Sequence, residues 1–235
     1  MKESPAIHVE RLKQVYGSGN TEVIAMRHAS MSIKYGEIVA LLGPSGSGKS
    51  TFLTAIGLIN PPTSGQITIS NQLVLNGSKA MVNLRNFRKK HIGFVFQKSN
   101  LIPFLTAREN VQITLEINGH SKKYAKNRAL DLLSEMDLAD RANNYPPMLS
   151  GGQQQRVAIC RALANKPAVI LADEPTAALD SHLGQHVMKL FRDIAHKYGT
   201  AVIVVTHDHR ALDVFDTIYE MEDGIIKPGQ IRQVI

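Results

Sequence analysis

Residues Gly43-Pro44-Ser45-Gly46-Ser47-Gly48-Lys49-Ser50 fit the pattern G-x-x-x-x-G-K-[ST] without a gap. The run before them, Ile38–Leu42, is short and apolar. Lys49–Leu58 after them reads as a helix stopped before Asn60-Pro61-Pro62. Strand, glycine-rich turn and helix in that order leave few folds open. The glycines let backbone N–H groups turn inward on an anion, and the helix N-terminus adds partial positive charge. Lys49 can then reach the β- and γ-phosphates of a nucleotide, and the Ser50 hydroxyl can ligate Mg²⁺. The competing reading is a glycine-rich turn with a chance lysine, and the flanking strand and helix argue against it. Alone, the motif says nucleotide hydrolase or kinase.

The rest of the chain alternates strand and helix signals. Ile7–Tyr16 and Val23–Ile33 read as strands joined by a Gly17-Ser18-Gly19-Asn20 turn. Gln66–Ser70, Ile92–Phe96, Ala168–Ala172 and Ala201–Val205 read as further strands, and Ser181–Lys197 as a helix. Between them, roughly Lys98–Ala164 is helix-rich. Thr106-Ala107-Arg108-Glu109 matches a capping box opening a helix to about Ile117. Ser121 can cap a second helix, in which Ala125, Ala129, Leu132, Leu133 and Met136 recur at helical spacing. Strands alternating with helices predict an α/β fold with a mainly parallel sheet covered on both faces.

The chain has 235 residues, 43% of them hydrophobic, enough for one large domain or a domain with a subdomain. The single cysteine, Cys160, cannot form an internal disulfide, which fits a reducing cytosol. On its helix it reads as a small buried residue rather than a redox centre. Met1-Lys2-Glu3-Ser4-Pro5 leads into no apolar run, so no signal peptide is expected. No run approaches the roughly 20 apolar residues of a bilayer span. The net charge is +7, with clusters at Arg85, Arg88, Lys89, Lys90 and at Lys122, Lys123, Lys126, Arg128. Solvated helix faces are the reading favoured for these clusters, over a nucleic-acid or anionic-membrane surface.

Two more segments carry chemistry. Val169-Ile170-Leu171-Ala172-Asp173-Glu174 is an apolar strand ending in two carboxylates, whose mutual repulsion asks for a nearby cation. Asp173 would hold Mg²⁺ through water and Glu174 would polarise an attacking water. Leu149-Ser150-Gly151-Gly152-Gln153-Gln154-Gln155-Arg156 opens another helix, with Ser150 as N-cap and two glycines exposing the amides. That is a second anion site. One triphosphate does not need two such sites in a monomer, so two chains sharing each nucleotide is the economical arrangement.

With these strings together, the sequence resembles the ATP-binding-cassette (ABC) proteins over almost its whole length. In that family Gly43–Ser50 is Walker A, Val169–Glu174 Walker B and Leu149–Gln153 the signature. The resemblance implies a P-loop NTPase core with a mainly parallel sheet and an N-terminal antiparallel β subdomain (1–97 and 165–235), and a helical insertion subdomain (98–164). It implies that Gln97 senses Mg²⁺ and the attacking water, and that His207, in Val205-Thr206-His207-Asp208, is the switch histidine near the γ-phosphate. Asp180, in Ala178-Leu179-Asp180, lies in the loop that crosses the dimer interface, and Tyr16 stacks on adenine. Gly43, Ser45, Gly46, Ser47, Gly48, Lys49, Ser50 and Thr51 would cradle the phosphates of ATP. Ser50, Gln97 and Asp173 would organise Mg²⁺. Glu174 would be the catalytic base, and Ser150, Gly151, Gly152 and Gln153 would bind the γ-phosphate held by the opposite subunit of a homodimer.

Within the family, Tyr16-Gly17-Ser18-Gly19, Asn100–Val111 and Tyr145-Pro146-Pro147-Met148 resemble the MacB/LolD/FtsE branch, and Phe104–Gln112 is similar to DevA-type cassettes, which serve glycolipid export. Asp173-Glu174-Pro175-Thr176-Ala177-Ala178-Leu179-Asp180 departs from the Pro-Thr-Gly-Asn-Leu-Asp form common in that branch, which weakens the subgroup and not the ATPase reading. The branch implies a transport ATPase at the cytoplasmic face of the inner membrane. It would be held there by a MacB/FtsX-like permease, with a periplasmic adaptor in many members, and would drive export or extraction of a lipid-like substrate. The segment after the Ile92–Phe96 strand, roughly Gln97–Thr106, would receive the permease's coupling helix; its Leu101-Ile102-Pro103-Phe104-Leu105 stretch is unusually apolar for a loop, or else is the core of the insertion. An FtsE-like regulatory ATPase and a non-transport cassette stand as alternatives. A GTPase or kinase would not explain Leu149–Gln153, and no Asn-Lys-x-Asp guanine string is present.

Overall fold

A computed structural model describes residues 4–207 and 209–231. Its first strands, β1 (Ile7–Tyr16) and β2 (Val23–Ile33), pair antiparallel from Ile7↔Ile33 to Tyr16↔Val23. After them β3 (Ile38–Leu42) leaves for a second sheet. The helix α1 (Lys49–Ile56) follows, and β4 (Ser64–Ile69), β5 (Gln72–Asn76) and β6 (Lys79–Ala80) complete an antiparallel sheet in the order β2-β1-β4-β5-β6. Next come α2 (Leu84–His91) and β7 (Ile92–Val95), then the helices α3 (Ala107–Ile117), α4 (Lys122–Glu135) and α5 (Gly151–Leu163). The chain ends as β8 (Val169–Asp173), α6 (Ser181–Tyr198), β9 (Ala201–Val205), β10 (Thr217–Glu222) and β11 (Ile225–Ile231).

The second sheet runs β11-β10-β3-β9-β8-β7, parallel throughout except for the β10–β11 hairpin. All five residues of β3 and all five of β9 are buried, as a strand covered on both faces requires. Side chains alternate between the two faces. Ile38, Ala40 and Leu42 pack with the helices α3 to α6, whereas Val39 and Leu41 pack with α1 and the antiparallel sheet. The expected α/β architecture is therefore present, with the antiparallel sheet formed by the N-terminal strands.

Local signals placed the helices well. Thr106 Oγ1 accepts from Glu109 N at 3.2 Å while Glu109 Oε2 accepts from Thr106 N at 2.9 Å, so the capping box closes α3. Ser121 accepts from Tyr124 N and caps α4, whose Ala125, Ala129, Leu132 and Leu133 are buried. Helix α1 ends at Ile56 rather than Leu58, because Gly57 caps it and the buried Leu58 turns left-handed at φ 57°. Strand β4 starts at Ser64, two residues before the expected Gln66, and ends at Ile69, since Ser70 and Asn71 take positive φ in the turn to β5. Strands β5, β6, β10 and β11 had no clear sequence signal.

Of the basic clusters, Arg85, Lys90, Lys122, Lys123 and Lys126 are exposed, as expected of solvated faces. Arg88, Lys89 and Arg128 are only partly so: Arg88 Nη1 donates to Leu58 O at 2.7 Å, Lys89 Nζ to Ile117 O at 3.5 Å, and the Arg128 guanidinium lies 5.9 Å from the centre of the Tyr198 ring. Cys160 is fully buried, and that burial pushes its thiol far above the usual range, as the packing role expected for it requires.

Candidate functional site

Parallel strands carry their functional loops at their carboxyl ends. Here the adjacent order β3-β9-β8-β7 sets four such ends side by side. β3 leads into the glycine loop, β9 into His207, β8 ends in Asp173 with Glu174 just beyond it, and Gln97 follows β7. Pairing of Asp173 with Val205 and of Ala172 with Val95 fixes the three later ends in register. The result is one cleft of about 670 Å³. Gly43, Ser45, Gly46, Gly48, Lys49, Ser50, Thr51, Gln97, Asp173, Glu174 and His207 all line it.

The loop is held in shape by close backbone approach. Gly48, at φ 104°, is the N-cap of α1, and a Cβ there would sit 2.4 Å from Ala25 O. At Gly43 a Cβ would sit 2.1 Å from Met221 O. The nearly buried Lys49 curls back on its own loop, its Nζ donating to Gly43 O at 2.8 Å and Pro44 O at 2.7 Å. Ser47 is buried, with its hydroxyl turned to the same ammonium at 3.4 Å rather than into the cleft.

Opposite the loop, burial raises the Asp173 carboxyl above the ordinary range. The neighbouring Glu174 charge adds to that shift, and Lys49 opposes it. Glu174 has a left-handed φ of 48°, sparsely populated for a residue with a side chain. Its N–H donates to Val205 O at 2.9 Å, and its Oε1 lies 2.8 Å from His207 Nδ1. The turn thus aims the carboxylate into the cleft beside the imidazole.

Other predicted residues lie elsewhere. Ser150, Gly151, Gly152 and Gln153 do not line the cleft. They form the capped N-terminus of α5: Ser150 Oγ accepts from Gln153 N at 3.3 Å, and Gln153 Oε1 accepts from Ser150 N at 2.9 Å. Asp180 is the N-cap of α6, accepting from Leu183 N at 2.9 Å. Tyr16 is exposed at the end of β1 and is also outside the lining. It pairs with Val23, which with Ile24, Ala25, Ala177 and Val205 does line the cleft. Sequence reasoning missed those five, since apolar residues of ordinary strands and turns carry no motif.

The donor set suits a magnesium nucleotide. The described residues hold no group of three His, Cys, Asp or Glu that could bind a metal alone. They offer the Ser50 hydroxyl, the Gln97 amide and the Asp173 carboxylate around the cleft. Mg²⁺ is commonly held by one or two carboxylates together with substrate phosphates. Glycines that could not accept a Cβ leave the loop amides open to those phosphates.

A second groove, of about 440 Å³, opens beside β7. Ile92, Phe94, Phe96 and Ile117 supply apolar surface, and Arg88, Lys89 and Arg161 its cationic rim. The rings of Phe94 and Phe96 stack with centroids 5.7 Å apart. Arg161 donates to Asn100 O at 2.7 Å and Ser99 O at 2.8 Å, tying the groove to the segment after Gln97. The buried Asn110 amide donates to Ile102, Leu105 and Thr106 carbonyls. This pins the apolar stretch while Phe104 stays 77% exposed.

Residues 26–177 match the family model described as ABC transporter. The lipoprotein-releasing system ATP-binding protein LolD of Bacteroides fragilis is 42% identical over 220 residues, 94% of this chain and 99% of its own. The macrolide export ATP-binding/permease protein MacB of Burkholderia pseudomallei is 41% identical over 222 residues, which are 94% of this chain and 34% of MacB. Among solved structures, the dimeric post-hydrolysis state of the cassette MJ0796, bound to ADP and Pi, superposes with a TM-score of 0.83 at 39% identity, covering 97% of this chain and all of that one.

Proposed function

The chain belongs to the ABC transporter family as an ATP-binding domain that hydrolyses ATP, and from that premise we propose that two copies close head to tail on two ATP molecules to drive a membrane permease. One observation carries the shared-site reading. The signature segment, Ser150–Gln153, has a capped helix N-terminus suited to an anion yet lies outside the cleft that Lys49 lines. A second chain, turned to face the first, gives those amides a phosphate to bind. The solved cassette MJ0796 is a dimer, which supports the arrangement.

Within the cleft each residue has a task set by its chemistry. The loop amides and Lys49 neutralise phosphate charge, Lys49 exchanging its bonds to Gly43 and Pro44 carbonyls for phosphate oxygens. Ser50, Gln97 and Asp173 would hold Mg²⁺, which would supply positive charge against the phosphates. Glu174 orients the attacking water and receives its proton. His207 holds the Glu174 carboxylate and reaches toward the γ-phosphate. Asp180 approaches the facing chain, and Tyr16 stacks on the adenine beside the Val23–Ala25 edge. Most of the acceleration is electrostatic positioning, completed by closure.

The groove at Phe94 and Phe96 is the permease's docking place in this reading, together with the exposed Phe104 of segment 97–106. Its apolar surface and cationic rim suit an amphipathic helix bearing an acidic residue, and Arg161 relays the contact to the Gln97 segment. Among the described residues no helix is long and apolar enough to cross a membrane. A MacB/FtsX-like permease would hold the chain at the cytoplasmic face of the inner membrane, for export or extraction of a lipid-like substrate; the similarity to LolD and to the MacB ATP-binding/permease protein supports this reading.

Glu174→Gln tests the core of this reading. The variant binds ATP, sediments as a dimer with ATP and loses turnover by about 10²–10⁴-fold, the range for a lost general base. Normal hydrolysis removes Glu174 from its role. A monomer at saturating ATP removes the shared site.

A further inference from the structure

Of the two signature glycines, the buried Gly152 is covered by a leucine from the segment that carries the catalytic carboxylate, and the exposed Gly151 lies beside a second. A Cβ on the buried Gly152 would lie 2.4 Å from Leu183 Cδ2 and 2.8 Å from Cδ1, so the Leu183 side chain rests directly on that backbone. A Cβ on Gly151 would meet Leu179 Cδ2 at 3.6 Å. Both leucines are held firmly. Asp180 Oδ1 accepts from Leu183 N at 2.9 Å, and Asp180 O from Gly184 N at 2.8 Å, which sets the first turn of α6. Leu179 N donates to Thr176 O at 3.0 Å and Ala177 N to Glu174 O at 3.2 Å. Thr176 in turn lies against Gly184, where a Cβ would be 3.4 Å from the threonine Cβ. A continuous packed path thus runs from Glu174 through Thr176 and Leu179 to Leu183 and the signature backbone. None of its members beyond Ala177 lines the chain's own cleft.

We propose that Leu183, with Leu179, is a positioning residue that fixes the signature amides of one chain for the nucleotide held by the other, and couples them to the Glu174 turn of its own site. The proposal rests on the shared-site reading. Closely packed contacts transmit displacement, since interiors have little free volume to absorb it. Removing the isobutyl group of Leu183 uncovers Gly152, a residue with no side chain of its own to hold it. The signature amides then lose a fixed direction, and the facing γ-phosphate loses its ordered donors. Leu183 does not line its own cleft, so binding there is spared.

The experiment uses the full chain as Glu174→Gln, which traps the ATP dimer, and adds Leu183→Ala, Leu179→Ala or Leu183→Met. Light scattering measures the ATP concentration at half-maximal dimerisation, and a fluorescent ATP analogue measures affinity in the monomer at low protein concentration. Leu183→Ala is expected to raise the half-dimerisation concentration about tenfold, the effect of one contact of ordinary strength, with monomer affinity unchanged. Leu183→Met restores it, and Leu179→Ala gives a smaller shift in the same direction. Equal dimerisation with and without Leu183→Ala overturns the proposal, as does a parallel loss of monomer affinity. A Glu174→Gln parent that never dimerises instead strikes the shared-site reading beneath it.

Discussion

His207 Nδ1 lies 2.8 Å from Glu174 Oε1, though 33 residues separate them in sequence. The contact exists because β9 and β8 are neighbours and in register, so that the residues just beyond their ends meet. An exposed imidazole beside a half-buried carboxylate contributes little to the fold and a good deal to the orientation of the acid. His207→Ala is therefore expected to leave stability within about 0.5 kcal/mol of the parent and to reduce turnover about 10²-fold. Thermal melting and a steady-state phosphate-release assay check the two halves separately.

Asp173 gives a pH-dependent prediction. Burial and then the Glu174 charge raise its carboxyl in the folded chain, against the pull of Lys49. A raised acid binds its proton more tightly folded than unfolded, so its contribution to stability is complete below the ordinary carboxylate range and is lost as pH rises through the folded-state value. Without nucleotide, Asp173→Asn should melt higher than the parent at pH 7, and the gap should close on acidification. With Mg²⁺ and ATP the order should reverse, because the parent alone offers a carboxylate to the cation. Identical nucleotide-free melting at pH 7 would contradict this account.

Gly48→Ala tests the loop. Its φ of 104° disfavours any side chain, and the added Cβ would meet Ala25 O at 2.4 Å. The strained backbone costs about 1–3 kcal/mol, and relief of it moves the amides that face phosphate. Calorimetric ATP binding should vanish while circular dichroism still reports a folded chain.

Thr106→Ala removes one half of the α3 capping box and leaves the cleft untouched. Denaturant unfolding should show a loss of about 1 kcal/mol, the usual worth of such a cap. ATP hydrolysis by the isolated chain should not change, since Thr106 does not line the cleft. A clear drop in hydrolysis would mean that the apolar stretch pinned by Asn110 reaches the catalytic residues directly.

Most of what sequence reasoning located depends on bonds between near neighbours. The glycine loop, the caps at Thr106, Ser121 and Ser150, and the buried strands β3, β8 and β9 all follow from a few consecutive residues, whereas the cap at Asp180 emerged only in the structure. Helix ends were less legible where a single residue departed from its usual backbone, as Leu58 does at φ 57°. The strands β5, β6, β10 and β11 were missed because none is buried along its whole length, and exposed positions break the apolar signal that marks β3, β8 and β9.

By itself, then, the sequence determined that this chain has a phosphate loop on a strand and helix, a strand ending in two acids, and a second anion-ready helix N-terminus. These are local facts, written in glycine, lysine and capping side chains a few residues apart. The tertiary structure alone decided which of them share a cleft. The order β3-β9-β8-β7 gathers Lys49, His207, Asp173, Glu174 and Gln97, the packing of β2 against the glycine loop adds Val23 to Ala25, and Ser150 to Gln153 stay outside. Strand order depends on pairing between distant segments, whose partners are chosen by how whole faces pack, and no short window of residues records that choice.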